Sequence, residues 1–369
     1  MVRVVVKIGS SSLVATDGTV RMAALEALAD DIATARDSHG VELVLVSSGA
    51  IATGLGVLGR PTRPRELPAL QAASAVGQGH LFGQWSRLFE TRGLAAGQVL
   101  LTMHDVSHRT SYVNARNTLE QLLAWGVVPI VNENDTTATD EITFGDNDTL
   151  AAQVAVSLNA DLLVLLTDTE GLYTAHPSNP DAELIREVSD HSLLGKVDTA
   201  EPGSHWGSGG MRSKVVAAEM ASVSGTVTHI ANSNEVGVVS RIVAGEHLGT
   251  RFVADGRRGS SFKLWLRYAK HPRGTIRVDS GAHRALLRAG ASLLPVGVVG
   301  VDGKFQAGDA VSVACDEHGE FAKGIVEYSS GELERLAGDR DAARGLDEAI
   351  HRDQLVVFDP RPQGTTGVA

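Results

Sequence analysis

From Val2 to Ala244 the chain alternates short β-branched runs with stretches whose apolar residues return every three or four positions. This alternation restricts the fold more than any other feature. Val2–Ile8, Val41–Val46, Val99–Leu101, Val127–Val131, Leu162–Leu166 and Val227–Ile230 read as strands. Met22–Ser38, Leu67–Thr91, Ser111–Trp125, Asn147–Asn159, Ser213–Ser224 and Glu235–Ala244 read as helices. The first of them sets Leu25, Leu28, Ala29 and Ile32 on one face. "LLVLL" at Leu162–Leu166 has no polar alternation, as in a strand covered on both sides. Strands and helices in turn imply a three-layer α/β sandwich around a mostly parallel sheet. Ligands of such sheets bind beyond the carboxyl ends of the strands.

The pattern stops near Phe252, so residues 1–254 form the expected α/β domain. "DGRRGSSF", Asp255–Phe262, opens a stretch read as a linker over 255–272. Short alternating runs separated by turns then predict a small barrel-like domain of antiparallel strands with one or two helices over 273–358. Residues 359–369 read as a frayed tail. A length of 369 residues suits two domains.

The apolar fraction of 43% is enough for real cores, while 4% aromatics and 40 glycines suit Ala/Val/Leu packing with many tight turns. The lone Cys315 rules out an internal disulfide framework and reads as packing in a reducing compartment. No apolar run approaches the roughly 18 residues that span a bilayer. A strand begins almost at the first residue, so no signal peptide is expected and the cytoplasm is the expected location. The formal charge of −11 argues against general nucleic-acid binding. Arg251–Arg288 runs against that average, with ten Lys/Arg against two acids, and reads as a solvated linker face.

Polar clusters stand at the strand ends: Lys7-Ile8-Gly9-Ser10, then Ser47–Ala50, then "NEND" at Asn132–Asp135 with "FGDNDTL" at Phe144–Leu150, then "TDTEGLYT" at Thr167–Thr174. "GSGGMRSK", Gly207–Lys214, opens a helix. In a parallel sheet these loops converge on one crevice. Taken singly, each glycine is a turn residue and each lysine a solvated end. Lys7 resists that explanation, because a lysine inside an apolar strand is costly. Together, Lys7, Lys214 and the glycine-freed backbone donors describe a polyanion site, best a nucleotide triphosphate.

"GLGVLG" at Gly54–Gly59 matches a dinucleotide fingerprint in letters only. It lies eight residues past Val46 and runs into Pro61 and Pro64, so a nicotinamide enzyme is not expected. Asp135, Asp146, Asp148 and Asp168 fall in the same loops without the His or Cys spacing of a zinc site, which leaves Mg²⁺ held mainly by phosphates. Asp148 can bridge the two lysines or cap the helix that starts beside it. No serine elbow or triad spacing is visible, and His104, His108 and His205 are scattered. Phosphoryl transfer to a carboxylate fits, since that acceptor is already ionised and needs positive charge, not a base.

"VVKIGSSSL", "VSSGAIATG", "NENDTTATDEITFGDND", "LLTDTEGLYT" and "GSGGMRSK" resemble, in order, the motifs of the amino-acid kinase family, in the branch that phosphorylates glutamate. The C-terminal part resembles a PUA domain. The resemblance implies ATP-dependent phosphorylation of the L-glutamate γ-carboxylate, the first step of proline synthesis, with Mg²⁺, feedback inhibition by proline and a homo-oligomeric assembly. It implies that Lys7 and Lys214 hold the ATP phosphates, with Asp148 organising them. Gly9, Thr167 and Asp168, with Ser208, Gly209, Gly210, Met211, Arg212, Ser213 and Lys214, contact the nucleotide. Ser48, Asp135 and Asn147 bind glutamate. Two motifs depart slightly, reading Gly9-Ser10-Ser11 and Ser208-Gly209-Gly210 where threonine is usual, and serine keeps the hydroxyl. PUA-like folds also bind RNA, but Arg273–Asp353 carries ten basic and fourteen acidic residues, a poor footprint for it.

Overall fold

Strand β1 (Arg3–Ile8) lies at the middle of an eight-stranded sheet because every residue from Val4 to Ile8 is buried, on both faces. The computed structural model describes residues 1–60, 62–102, 105–106, 109–137, 146–175, 177–189, 209–254, 263, 266–267, 272–337, 339 and 345–358. The chain divides into two compact units, Met1–Ser261 and Phe262–Ala369. The stretches read as a linker over 255–272 and a tail over 359–369 fall almost wholly outside the described residues, as do His104, His108 and His205.

In the first unit β1 is followed by α1 (Ser10–Leu13), α2 (Met22–His39), β2 (Glu42–Ser47), α3 (Ala50–Val57), α4 (Leu67–Glu90), β3 (Ala96–Leu101), α5 (Arg109–Ala124) and β4 (Val128–Glu133). Then come α6 (Asp146–Ser157), β5 (Leu162–Thr167), β6 (Glu187–Val188), α7 (Gly209–Val223), β7 (Val227–Asn232), α8 (Val238–Val243) and β8 (Thr250–Phe252). The strand order is β3-β4-β2-β1-β5-β7-β8-β6, and among these pairings only β7–β8 is antiparallel. The chain leaves β1 on one side to β2 and returns on the other to β5. That reversal of strand order opens a crevice at the carboxyl ends of neighbouring strands. Ile8 stands level with Ser47 and with Leu166, which sets the polar strand ends side by side.

The two faces of β1 meet different partners, as alternating side chains must. Val4, Val6 and Ile8 join a core with Leu25, Ile32, Trp85 and Phe89 from α2 and α4. Val5 and Lys7 belong to the other face, and on the strands α6 packs against β1, β2, β4 and β5, with α7 beside it.

Helix α3 answers the "GLGVLG" motif. Gly54 lies inside α3, and a Cβ there would stand 1.8 Å from the Ala73 carbonyl of α4. A Cβ on Gly77 of α4 would stand 1.8 Å from the Ala50 carbonyl of α3. Glycine at both positions lets the two backbones touch, which no larger residue allows. The motif is a helix crossing.

In the second unit β9 (Gly274–Val278), α9 (Ser280–Ala289), β10 (Val298–Gly303), β11 (Ala310–Cys315), β12 (Gly319–Ile325), α10 (Ser330–Leu336) and β13 (Leu355–Val357) pack around Ile276, Phe305, Val313, Cys315 and Phe321. Asp279 and Ser329 cap the two helices through their side chains, the latter in a capping box with Glu332. The sheet order is β10-β9-β11-β12-β13. The expectation of purely antiparallel strands is corrected at β9–β11, which run parallel. Cys315 is buried packing, as its sequence context suggested.

Candidate active site

Lys7 projects from the centre of the sheet toward the first turn of α6, and the acid it meets is Asp148. Lys7 Nζ lies 2.6 Å from Asp148 Oδ1. Lys214, in the second turn of α7, donates to Asp148 Oδ2 at 3.2 Å and to the Gly210 carbonyl at 3.3 Å. The Ser213 hydroxyl donates to Asp148 Oδ2 at 2.6 Å. The Asp148 side chain is only 1% exposed and that of Lys7 only 5%. Two lysines 207 positions apart in sequence thus share one buried carboxylate.

Burial and charge compete here. Burial pulls the Lys7 ammonium below the ordinary lysine range; Asp148 acts against that pull and Lys214 reinforces it. Burial alone would raise the Asp148 carboxyl, but Lys7, Lys214 and Ser213 outweigh it and hold Asp148 below the ordinary carboxylate value. Among the described residues of this cluster, two ammoniums stand against one carboxylate, which leaves one positive charge in excess. An anion supplied from outside would balance it.

Backbone geometry leaves room for such an anion. Gly9 precedes α1, and a Cβ built on it would lie 3.7 Å from Lys7 Nζ, so a longer side chain would crowd the ammonium. Gly209, Gly210, Met211, Arg212 and Ser213 form the opening turns of α7, and the first N–H groups of a helix have no acceptor within the helix itself, which favours an anion there. A Cβ on Gly210 meets nothing within 4 Å. Ser208 lies outside the described residues. Thr167 ends β5 buried, its hydroxyl donating to Asp168 Oδ1 at 3.2 Å. The Thr167 carbonyl accepts from the Ser233 N–H at 2.7 Å, and Ser233 Oγ lies 2.9 Å from Ser12 Oγ. These two serines tie the loop after β7 to α1; Ser12 belongs to the first motif, while no motif singled out Ser233.

On the other side of β1, Ser48 follows β2, buried, with its N–H donating to the Ile8 carbonyl at 3.2 Å. Asp135 is buried in the loop after β4 and accepts a 2.7 Å bond from Ser74 of α4. Burial raises its carboxyl above the ordinary value, with the Ser74 hydroxyl and the charge of Arg63 acting in the other direction. Asn147 sits beside Asp148 in α6, and its buried Oδ1 has no hydrogen-bond partner among the described residues. A buried carbonyl oxygen left without a donor fits a site that a ligand completes. Sequence reasoning missed Ser74 and Gln78, whose roles rest on contacts across more than fifty positions.

Among the described residues no group of three or more His, Cys, Asp or Glu side chains could hold a metal ion. The donors of this crevice suit a hard cation that arrives with phosphates. Nor, among the described residues, is any helix long and apolar enough to cross a membrane.

Residues 2–232 match the amino acid kinase family and residues 274–343 the PUA domain. The chain is 45% identical over 366 residues to the glutamate 5-kinase of Streptomyces coelicolor, covering 97% of each chain. It is 46% identical over 370 residues to that of Gloeobacter violaceus, covering 97% of this chain and 100% of the relative. The chain belongs to the amino acid kinase family, among the glutamate 5-kinases. The solved carbamate kinase from Giardia lamblia bound to AMP-PNP shares the fold of this amino acid kinase, with a TM-score of 0.50 at 20% identity over 69% of this chain and 98% of that one.

Proposed function

We propose that the chain transfers the γ-phosphoryl group of ATP to the γ-carboxylate of L-glutamate. A carboxylate oxygen attacks the γ-phosphorus, the bond to the bridging β–γ oxygen breaks, and ADP leaves with its electron pair. The glutamyl product is an acyl phosphate. The reading is carried by one observation: Lys7 and Lys214 are buried on a single carboxylate at the switch point of the sheet.

The chemistry explains why these groups suffice. The acceptor is an anion at neutral pH, so no base is required. The barrier lies in bringing two anions together, and charge on the transferring group spreads over its equatorial oxygens. Fixed ammoniums in a water-poor site stabilise that charge without reorganising, and each such donor is worth on the order of 3–4 kcal/mol at the transition state. Asp148 holds both ammoniums in place. The turns from Gly209 to Lys214, with Gly9, take the phosphates, and Thr167 and Asp168 take the rest of the nucleotide. Ser48 and Asn147 hydrogen-bond the glutamate carboxylates, and Asp135 pairs with its α-ammonium. Mg²⁺ would supply positive charge that neutralises part of the phosphate charge, and Asp168, exposed just after β5, is the acid that would help to hold it.

The test is ADP release with ATP, Mg²⁺ and a panel of acceptors, with hydroxylamine to trap the acyl phosphate as a hydroxamate. Glutamate-dependent ADP and hydroxamate are the expected result. Turnover with N-acetyl-L-glutamate, carbamate or a nucleoside monophosphate, and none with L-glutamate, overturns the reading. Proline in the same assay tests the inhibition that the family resemblance implies. Residues 255–272 as linker and 273–358 as a separate domain complete the proposed organisation.

A further inference from the structure

Helix α4 contributes nothing to the motif set, yet two of its polar side chains, the buried Ser74 and the half-buried Gln78, reach the end of β4 and the loop that carries Asp135. Ser74 donates to Asp135 Oδ2 at 2.7 Å. One turn later, Gln78 Oε1 accepts from Asn132 Nδ2 at 2.6 Å. Asn132 Oδ1 in turn accepts the N–H of Glu133 at 2.9 Å, and the Asn134 N–H donates to the Leu101 carbonyl at 2.8 Å. The start of the loop, from Asn132 to Asp135, is therefore held by two side chains of a single helix face. Gly77, between Ser74 and Gln78, is with Gly54 what lets α3 touch α4, and α3 begins at Ala50, one residue beyond Ser48-Gly49. One crossing thus sets the separation of the loops bearing Ser48 and Asp135.

We propose that Ser74 and Gln78 are positioning residues that make the acceptor pocket selective for a free α-amino group, Ser74 by keeping Asp135 oriented and ionised and Gln78 by fixing the backbone beneath it. The inference deepens the kinase reading and rests on Asp135 as the partner of the α-ammonium. Only an ionised Asp135 attracts an ammonium, whereas a protonated one would tolerate an N-acylated acceptor. Burial drives Asp135 toward protonation, and the groups opposing it are the Ser74 hydroxyl from α4 and Arg63 from the segment before that helix. Ser74 is itself buried, so its hydroxyl is not replaced readily by water.

The experiment is steady-state kinetics of the full chain with L-glutamate varied from acid to neutral pH, for the parent, Ser74→Ala, Ser74→Thr, Gln78→Ala and Asp135→Asn. Ser74→Ala should raise the glutamate KM roughly ten-fold, the loss of one hydrogen bond to a charged group, with kcat kept within about two-fold. The acid limb of kcat/KM should move to higher pH, because Asp135 then gains its proton sooner. Ser74→Thr should restore both, and the ratio of kcat/KM for L-glutamate over N-acetyl-L-glutamate should fall in Ser74→Ala. Gln78→Ala should raise KM without moving the limb. A merely structural role for Ser74 would change thermal stability and leave the acid limb where it was, which overturns the proposal. If Asp135→Asn raises KM while Ser74→Ala changes neither KM nor the limb, the inference fails and the kinase reading survives. If Asp135→Asn leaves the glutamate KM unchanged, the assignment of Asp135 fails and the inference falls with it.

Discussion

Replacing Asp148 by Asn removes the only carboxylate in the described cluster while leaving both of its ammoniums in place. The carboxylate is 1% exposed, with Lys7 Nζ at 2.6 Å and Lys214 Nζ at 3.2 Å, so water does not compensate for the loss. Removing one partner of a buried ion pair costs about 3–5 kcal/mol. For a unit of this size that corresponds to a fall in Tm of roughly 6–20 °C. The loss should depend on pH in a defined direction. Burial already lowers the Lys7 pKa, and Asp148 is the group that opposes the fall, so in Asp148→Asn the lysine sheds its proton at lower pH. A lysine with a lowered folded pKa costs stability while protonated, and the cost is relieved as pH rises from that value toward the unfolded 10.5. Asp148, held below its ordinary value, contributes stability above pH 3.8 that is lost as pH falls through its folded pKa. Thermal unfolding of the parent and Asp148→Asn between pH 6 and 10 should therefore show a gap that narrows toward alkaline pH, and turnover should drop about a hundred-fold or more at neutral pH. An unchanged Tm with a pH-independent gap near zero would refute the reasoning, because it would mean that the two lysines do not depend on this carboxylate.

Lys214→Ala should cut kcat by about 10²–10³ while changing the glutamate KM little, since its ammonium stabilises charge that develops during transfer; initial-rate kinetics check this, and a large KM effect at unchanged kcat would contradict it. Asp135→Asn should raise the glutamate KM with kcat largely kept. In the parent that KM should rise as pH falls through the raised Asp135 pKa, an effect absent from the variant and read from KM against pH. Gly77→Ala places a Cβ 1.8 Å from the Ala50 carbonyl, so α3 and α4 must separate, and chemical denaturation should report a loss of about 1–3 kcal/mol or more.

Much of the site was legible because its residues violate local rules. A lysine inside Val4–Ile8 is anomalous for a buried strand, and Asp148 in the first turn of a largely apolar helix supplied the charge to offset it. The sheet class followed from the alternation of periods, and the strand ends then ordered the polar loops. Other features were hidden because local pattern does not encode them. Gly54 and Gly56 lower the helix propensity of Ala50–Val57, and only packing against α4 makes that segment a helix. Gly237 takes a left-handed conformation, with φ of 64°, and starts α8 at Val238 instead of Glu235. Alternation predicts a strand but not its direction, so the parallel β9–β11 pair was out of reach. Ser74 and Gln78 lie on a 24-residue helix with polar residues on several faces, and nothing local marks the two that point at a loop more than fifty positions away.

The central claim concerns where a nucleotide's terminal phosphate sits, and a crystal structure with an unhydrolysable ATP analogue and L-glutamate measures that directly. The account predicts γ-phosphate oxygens about 2.7–3.2 Å from both Lys7 Nζ and Lys214 Nζ, with the glutamate γ-carboxylate facing the phosphorus. A γ-phosphate out of reach of either ammonium, with both lysines still held by Asp148, would contradict it.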